Sequence, residues 1–168
     1  MNFRGIATLL MMLGLATLSV AQTKISGLNK CGKPDQVQKI DIGDKPDHAF
    51  AISQGKCTWT KAMEIGGTQT KEDVVTNSVE MSGAKAQVHG FVVGTLANGD
   101  KFYARTHGAE KYDKSGKIQS SEGSWSFVGG TGAVKSVKGE GTYSGRPDPI
   151  DPAGSVIFEI SGEYEIPK

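Results

Sequence analysis

An all-β fold, a small barrel made by a curved antiparallel meander of strands, follows from three observations. An aromatic residue stands two places after a glycine near the end of three predicted strands: Gly123 and Trp125, Gly141 and Tyr143, Gly162 and Tyr164. These copies recur about every 20 residues, roughly one up-and-down pair of strands with its turns, which is too close for separate domains. The chain holds 23 glycines and is poor in long apolar helical patterns. Within each copy the glycine and the ring share one face of the strand. The glycine lets the strand bend sharply, and the ring covers the backbone it bares.

In chain order, residues 1–21 read as an export signal. Arg4 precedes the apolar residues 6–18, and Ser19, Val20 and Ala21 offer small residues at the two cleavage-defining positions. The apolar run is short for a spanning helix and polar sequence follows it. Cleavage after Ala21 leaves about 147 residues starting at Gln22, enough for one domain with a useful core. Without Arg4 the chain carries 18 basic against 18 acidic residues. It therefore has no clustered charge with which to neutralise phosphates, and nucleic-acid binding is not expected. Cys31 and Cys57 are the only cysteines. In an exported chain such a pair predicts one disulfide, here tying a polar leader over residues 22–46 to the barrel domain over residues 47–168. The expected location is secreted or periplasmic, with no membrane association after cleavage.

The first strands are predicted from His48 to Ile52 and over residues 57–65, with a turn or bulge at Gly55. Residues 72–81 follow, with Val75, Val79 and Met81 inward. Residues 88–96 and 101–111 form the clearest hairpin, turning at Ala97, Asn98, Gly99 and Asp100. A two-residue loop puts His89, Phe91 and Val93 on one face with Phe102 and Ala104. A three-residue loop with a glycine bulge puts His89 and Phe91 with Tyr103, Arg105 and His107 instead, since a one-residue slip exchanges faces. Residues 121–143 are then read as two strands around a turn made by Gly129, Gly130, Thr131 and Gly132. The second of them runs from Val134 to Tyr143. Pro147, Pro149 and Pro152 cannot serve an internal ladder, so residues 145–154 are expected at the barrel rim. The last strand places Val156, Phe158, Ile160, Tyr164 and Ile166 on one side.

Gly129, Gly130, Thr131 and Gly132, followed six residues later by Gly139, resemble the GGTG turn and strand of the allene oxide cyclase and dirigent barrel group. Residues 123–127, 139–143 and 162–164, with the hairpin residues 98–103, are similar to small exported bacterial proteins of that type. The resemblance covers roughly the last half of the chain. It implies an eight-stranded antiparallel barrel of calycin-type shape, able to enclose a ligand or to be filled by its own side chains. In the plant members the barrel mouth binds apolar or phenolic compounds and steers their cyclisation or coupling. Val134 stands where dirigent proteins commonly carry an aromatic residue, so the plant activities do not carry over residue by residue. The plant barrels associate, but no interface signature accompanies the pattern here.

GGTG is not read as a phosphate cradle, because a strand follows it and not a helix. His48, His89 and His107 lack metal-site spacing, and no nucleophile motif is present. No catalytic residue, metal or cofactor is assigned. Glu140 and Glu163 have acid/base chemistry, but alternation puts Glu163 on a solvated face. The candidate ligand residues are Tyr103, Arg105, His107, Trp125 and Tyr143. The first three form a row that either faces the lumen and offers donors to a ligand or is an ordinary outward face. Trp125 and Tyr143 either line the lumen or are plain core. The expected function is non-enzymatic holding of a small apolar or aromatic molecule. The alternatives are an isomerase or cyclase acting by confinement, and a packed barrel serving as a surface or interaction module.

Overall fold

A computed structural model describes residues 22–151 and 154–167; the predicted export signal lies outside them. The strands among the described residues are β1 (Thr23–Cys31), β2 (Gln36–Asp41), β3 (His48–Lys61), β4 (Glu64–Ile65), β5 (Thr68–Ser82), β6 (Lys85–Leu96), β7 (Lys101–Tyr112), β8 (Ile118–Gly130), β9 (Lys138–Pro147) and β10 (Val156–Glu165). Neighbours from β5 to β10 pair antiparallel in sequence order, β10 pairs with β1, β1 with β3, and β3 with β5. Eight staves thus close into one antiparallel barrel, as the glycine-aromatic pattern predicts.

The boundary expected between a leader and a barrel at residues 46 and 47 is absent. β1 is a full stave, pairing along β10 from Thr23↔Tyr164 to Cys31↔Val156. Both β1 and β2 lie antiparallel to β3, β1 along its last residues (Cys31↔Cys57) and β2 along its first (Asp41↔Ala49). They are two pieces of one interrupted strand. The Cys31–Cys57 disulfide sits at the break.

The β6–β7 hairpin takes the longer loop. Leu96 N bonds to Asp100 O and Gly99 N to Leu96 O, around Ala97, Asn98 and Gly99. Gly99 has φ +89°, the left-handed conformation that a glycine reaches without strain. The register that results pairs Val93↔Tyr103, Phe91↔Arg105 and His89↔His107.

Rings and glycines meet across strands as well as along them. Tyr143 lies opposite Gly123, Trp125 opposite Gly141, and Tyr164 opposite Gly139. A Cβ at Gly162 would stand 2.6 Å from the Trp125 ring and one at Gly141 2.8 Å from it. The strands therefore bend where no side chain occupies the inner face, and the neighbour's ring fills that space.

The strand predicted from Val134 starts later, at Lys138. Gly132–Val134 is a 3-10 turn, with Gly132 at φ +50°. The Asp100 carboxylate occupies the ground in front of it, accepting from Ala133 N at 3.1 Å. Thr131 Oγ accepts from Lys101 N at 2.8 Å, so the GGTG turn is satisfied by the hairpin loop beside it. Val134 is buried instead of alternating along a strand. With Met63, Ile65, Leu96 and Val137 it plugs one end of the barrel. Ile65 and Leu96 are 0% and 1% exposed, and each such side chain contributes about 1.5–3 kcal/mol of burial.

The rim excursion is shorter than the proline spacing suggests, because β9 continues through Gly145 to Pro147. Lys30 Nζ holds the following connection against β1 through Asp148 Oδ2 at 2.8 Å and Asp151 Oδ2 at 3.1 Å.

Candidate binding site in the barrel lumen

Alternation along each stave decides which side chains enter the lumen. β5 contributes Asp73, Val75 and Asn77; β6 contributes Val88 and Val92; β7 contributes Phe102, Ala104, Thr106 and Glu110. β8 adds Ser121, Trp125 and Phe127, β9 Tyr143, and β10 Val156, Phe158 and Ile160. These residues, with Asn29 from β1, bound a cavity of about 190 Å³. A dry apolar cavity of about 150 Å³ takes up benzene, so the space suits a molecule of about one ring.

The mouth lies at the disulfide. Gly32, Pro34, Ser53 and Gly55 join the lining there, and Pro34 is exposed on its outer side. A Cβ on Gly55 would stand 3.2 Å from Pro34 Cα. Residues 32–35, the break between β1 and β2, thus cross the inner face of β3 and roof the cavity. The disulfide anchors that roof at Cys31, the residue just before it.

Two buried acids interrupt the apolar wall. Asp73, 2% exposed, lies opposite Cys57 on β3 and Gly94 on β6. Its Oδ2 accepts from Asn29 Nδ2 at 3.2 Å. Burial pushes its pKa up to about 6, against the pull of the Trp59 and Asn29 donors, and the charge of Glu72 adds to the rise. The Trp59 indole is turned toward this carboxylate, yet neither Trp59 Nε1 nor Asp73 Oδ1 completes a hydrogen bond.

Glu110 lies opposite Ser121, and the Tyr112 hydroxyl donates to its Oε2. Burial raises the Glu110 pKa against the Tyr112 and Ser121 hydrogen bonds. Burial, helped by the Glu110 charge, pushes Tyr143 up to about 12. The Tyr143 hydroxyl is therefore protonated at every physiological pH. The lumen combines aromatic walls, hydroxyl donors and two carboxyl groups whose charged forms are disfavoured.

Comparison with protein families and with curated proteins finds no match. A solved structure shares the fold. It is that of a conserved protein of unknown function from Rhodopseudomonas palustris, at TM-score 0.50 and 9% identity, covering 85% of this chain and 98% of the other. At that identity the likeness concerns the barrel alone.

The candidate ligand residues fall on both sides of the barrel wall. Trp125 and Tyr143 line the lumen, where Trp125 Nε1 donates to Ser161 O at 3.2 Å. Tyr103, Arg105 and His107 occupy the outward phase of β7, alternating with the inward Phe102, Ala104 and Thr106. Arg105 and His107 border an open saddle on the outer surface together with His89, Phe91, Ser124 and Glu140. There His89 and His107 touch, Nδ1 to Nδ1 at 3.2 Å. His48 sits apart, between Asp44 and Glu80.

Sequence reasoning passed over Asn29, Asp73 and Glu110. The signal was present in their phase: Asp73 keeps step with Val75, Val79 and Met81, and Glu110 with Phe102 and Ala104. An acid in the inward phase of an otherwise apolar strand marks a polar group in the lumen.

Proposed function

We propose that the protein is an exported barrel that holds one small apolar or aromatic molecule in its lumen without changing it chemically. The observation that carries this reading is the cavity of about 190 Å³ bounded by Val75, Val92, Trp125, Phe127, Phe158 and Ile160. Apolar walls with a few convergent polar groups are the usual make-up of a small-molecule site. Export is supported by the disulfide and by the composition of residues 1–21. The resemblance of residues 123–164 to the allene oxide cyclase and dirigent group points to the same class of ligand.

The test is native mass spectrometry of the protein purified gently from an exporting host, combined with quenching of Trp125 fluorescence by toluene and phenol. An extra mass released on denaturation, or saturable quenching, supports the reading. An unliganded mass together with no saturable response to either probe refutes it.

A second reading, isomerisation or cyclisation of the confined molecule, is favoured by Asp73. A carboxyl group with a pKa near 6 in an apolar cavity has the properties of a general base at neutral pH. It requires turnover of a bound compound that Asp73→Asn abolishes while binding persists.

A further inference from the structure

β2 ends the sheet. It pairs with β3 on one side and, among the described residues, with no strand on the other. All six of its residues are exposed. Its register on β3 sets Ile40 opposite Phe50 and Gln38 opposite Ile52. Ala49 and Ala51 of β3 are buried, so Phe50 and Ile52, which alternate with them, point outward. Ile40, 70% exposed, and Ile42 share that outer face, and all four are large apolar side chains open to solvent. An apolar strip beside an open strand edge marks an interaction surface.

The backbone fixes how a further strand would pair there. Ile42 N donates to His48 O, so the even-numbered residues of β2 bond to β3. Val37, Lys39 and Asp41 then turn their N–H and C=O groups to the open edge. A second copy of β2, running antiparallel about a two-fold axis, fits that edge. Setting Lys39 against the partner's Asp41 joins odd-numbered residues to odd-numbered ones. It also places Ile40 against the partner's Ile40, in the non-hydrogen-bonded pairing where side chains come closest. The two neighbouring registers oppose Lys39 to Lys39 or Asp41 to Asp41, which like charges disfavour. A lysine on an open edge ordinarily keeps other strands away. Here Asp41, 3.3 Å from Lys39 within the chain, answers it across the axis as well.

We infer that the protein forms a two-fold dimer through β2, joining two barrels in one continuous sheet whose outer face carries Ile40 and Phe50 of both copies. An interface this short is of the weak, reversible kind. The dimer does not depend on what the lumen holds.

Sedimentation equilibrium of the disulfide-bonded protein, at low salt and rising concentration, is expected to show a reversible approach to twice the chain mass. Lys39→Asp and Asp41→Lys each oppose like charges at both ends of the pairing, and each should weaken association by about tenfold or more. Mixed in equal amounts, the two variants should associate again, because each then meets its opposite charge. Both residues are exposed, and circular dichroism checks that the variants keep the barrel. Should either fail to fold, Ile40→Glu, which sets two acids on the axis, must weaken association in its place. A protein that stays monomeric at every concentration overturns the inference. So does a dimer that a folded variant keeps at full strength, since it is held elsewhere, and so does a mixture of the folded charge variants that remains monomeric.

Discussion

Replacing Asp73 with asparagine should make the empty barrel more stable at neutral pH. In the folded protein burial holds the Asp73 proton up to about pH 6, while its ordinary value is 3.8. Between those values the folded state binds more protons than the unfolded chain, so stability falls as pH rises. The gap corresponds to about 3 kcal/mol, absent below about pH 4 and fully present above about pH 7. Asparagine has the same shape, keeps an oxygen for the Asn29 donor, and carries no charge to desolvate. Part of the gain is returned because its amide nitrogen faces the Trp59 indole N–H. Urea unfolding of ligand-free protein, followed by tryptophan fluorescence from pH 4 to 8, measures the difference. The variant should pull ahead steadily over this range, by about 2–3 kcal/mol at its upper end. Glu110, raised in the same direction, acts in both proteins and cancels. Parallel profiles for the two proteins would refute the account of Asp73 as a buried, half-partnered acid.

Three further outcomes are expected. Cys31→Ala with Cys57→Ala removes a cross-link spanning 26 residues; it should cost about 3.5 kcal/mol in the chain-entropy model and speed amide exchange in β2, which pairs with β3 just beyond the break. Gly162→Ala drives a methyl group into the Trp125 ring and the Glu140 carbonyl; a loss of about 1–3 kcal/mol with a shifted tryptophan emission is expected in denaturant melts. His48, hydrogen-bonded to Asp44 and then Glu80, has its pKa raised above 6.5. Its contribution to stability is full below that value and is lost as pH rises through the raised folded pKa. An NMR titration should show the His48 midpoint above 6.5, and His48→Gln should flatten the stability profile in that range.

The barrel was legible because its determinants are local. Trp125, Tyr143 and Tyr164 each follow a glycine by two residues, and residues 156–166 alternate cleanly. β1 was not legible, since its inward residues Ile25, Gly27 and Asn29 form no apolar stripe. Gly27 is kept small by the Trp59 side chain of the neighbouring β3 and the Met63 side chain just after it, a reason distant in sequence that no local pattern reveals. The hairpin register turned on Asn98, which a two-residue loop would hold in the left-handed conformation and which the structure does not; Gly99 suits either loop. Tyr103, Arg105 and His107 drew attention by their chemistry, but that register turns the row outward. Asp73 and Glu110 were hidden by the habit of assigning charged residues to solvent. Their phase within the strand was the better guide.

The closure of the barrel by β1 has a consequence for how the protein comes to be folded. Thr23 finds its partner in Tyr164, so the seam joins residues some 140 positions apart. The N-terminal stave emerges first during synthesis and has to wait for the last one. Until β10 is complete, β9 and β1 each present an open edge, and such edges invite pairing with other chains. Contacts this distant make for slow folding. The two cysteines, much nearer in sequence, can join before the seam does, and their bond sets β1 beside β3 while the chain is still open at β10. The disulfide thereby turns the final step into the docking of one strand against a prepared groove.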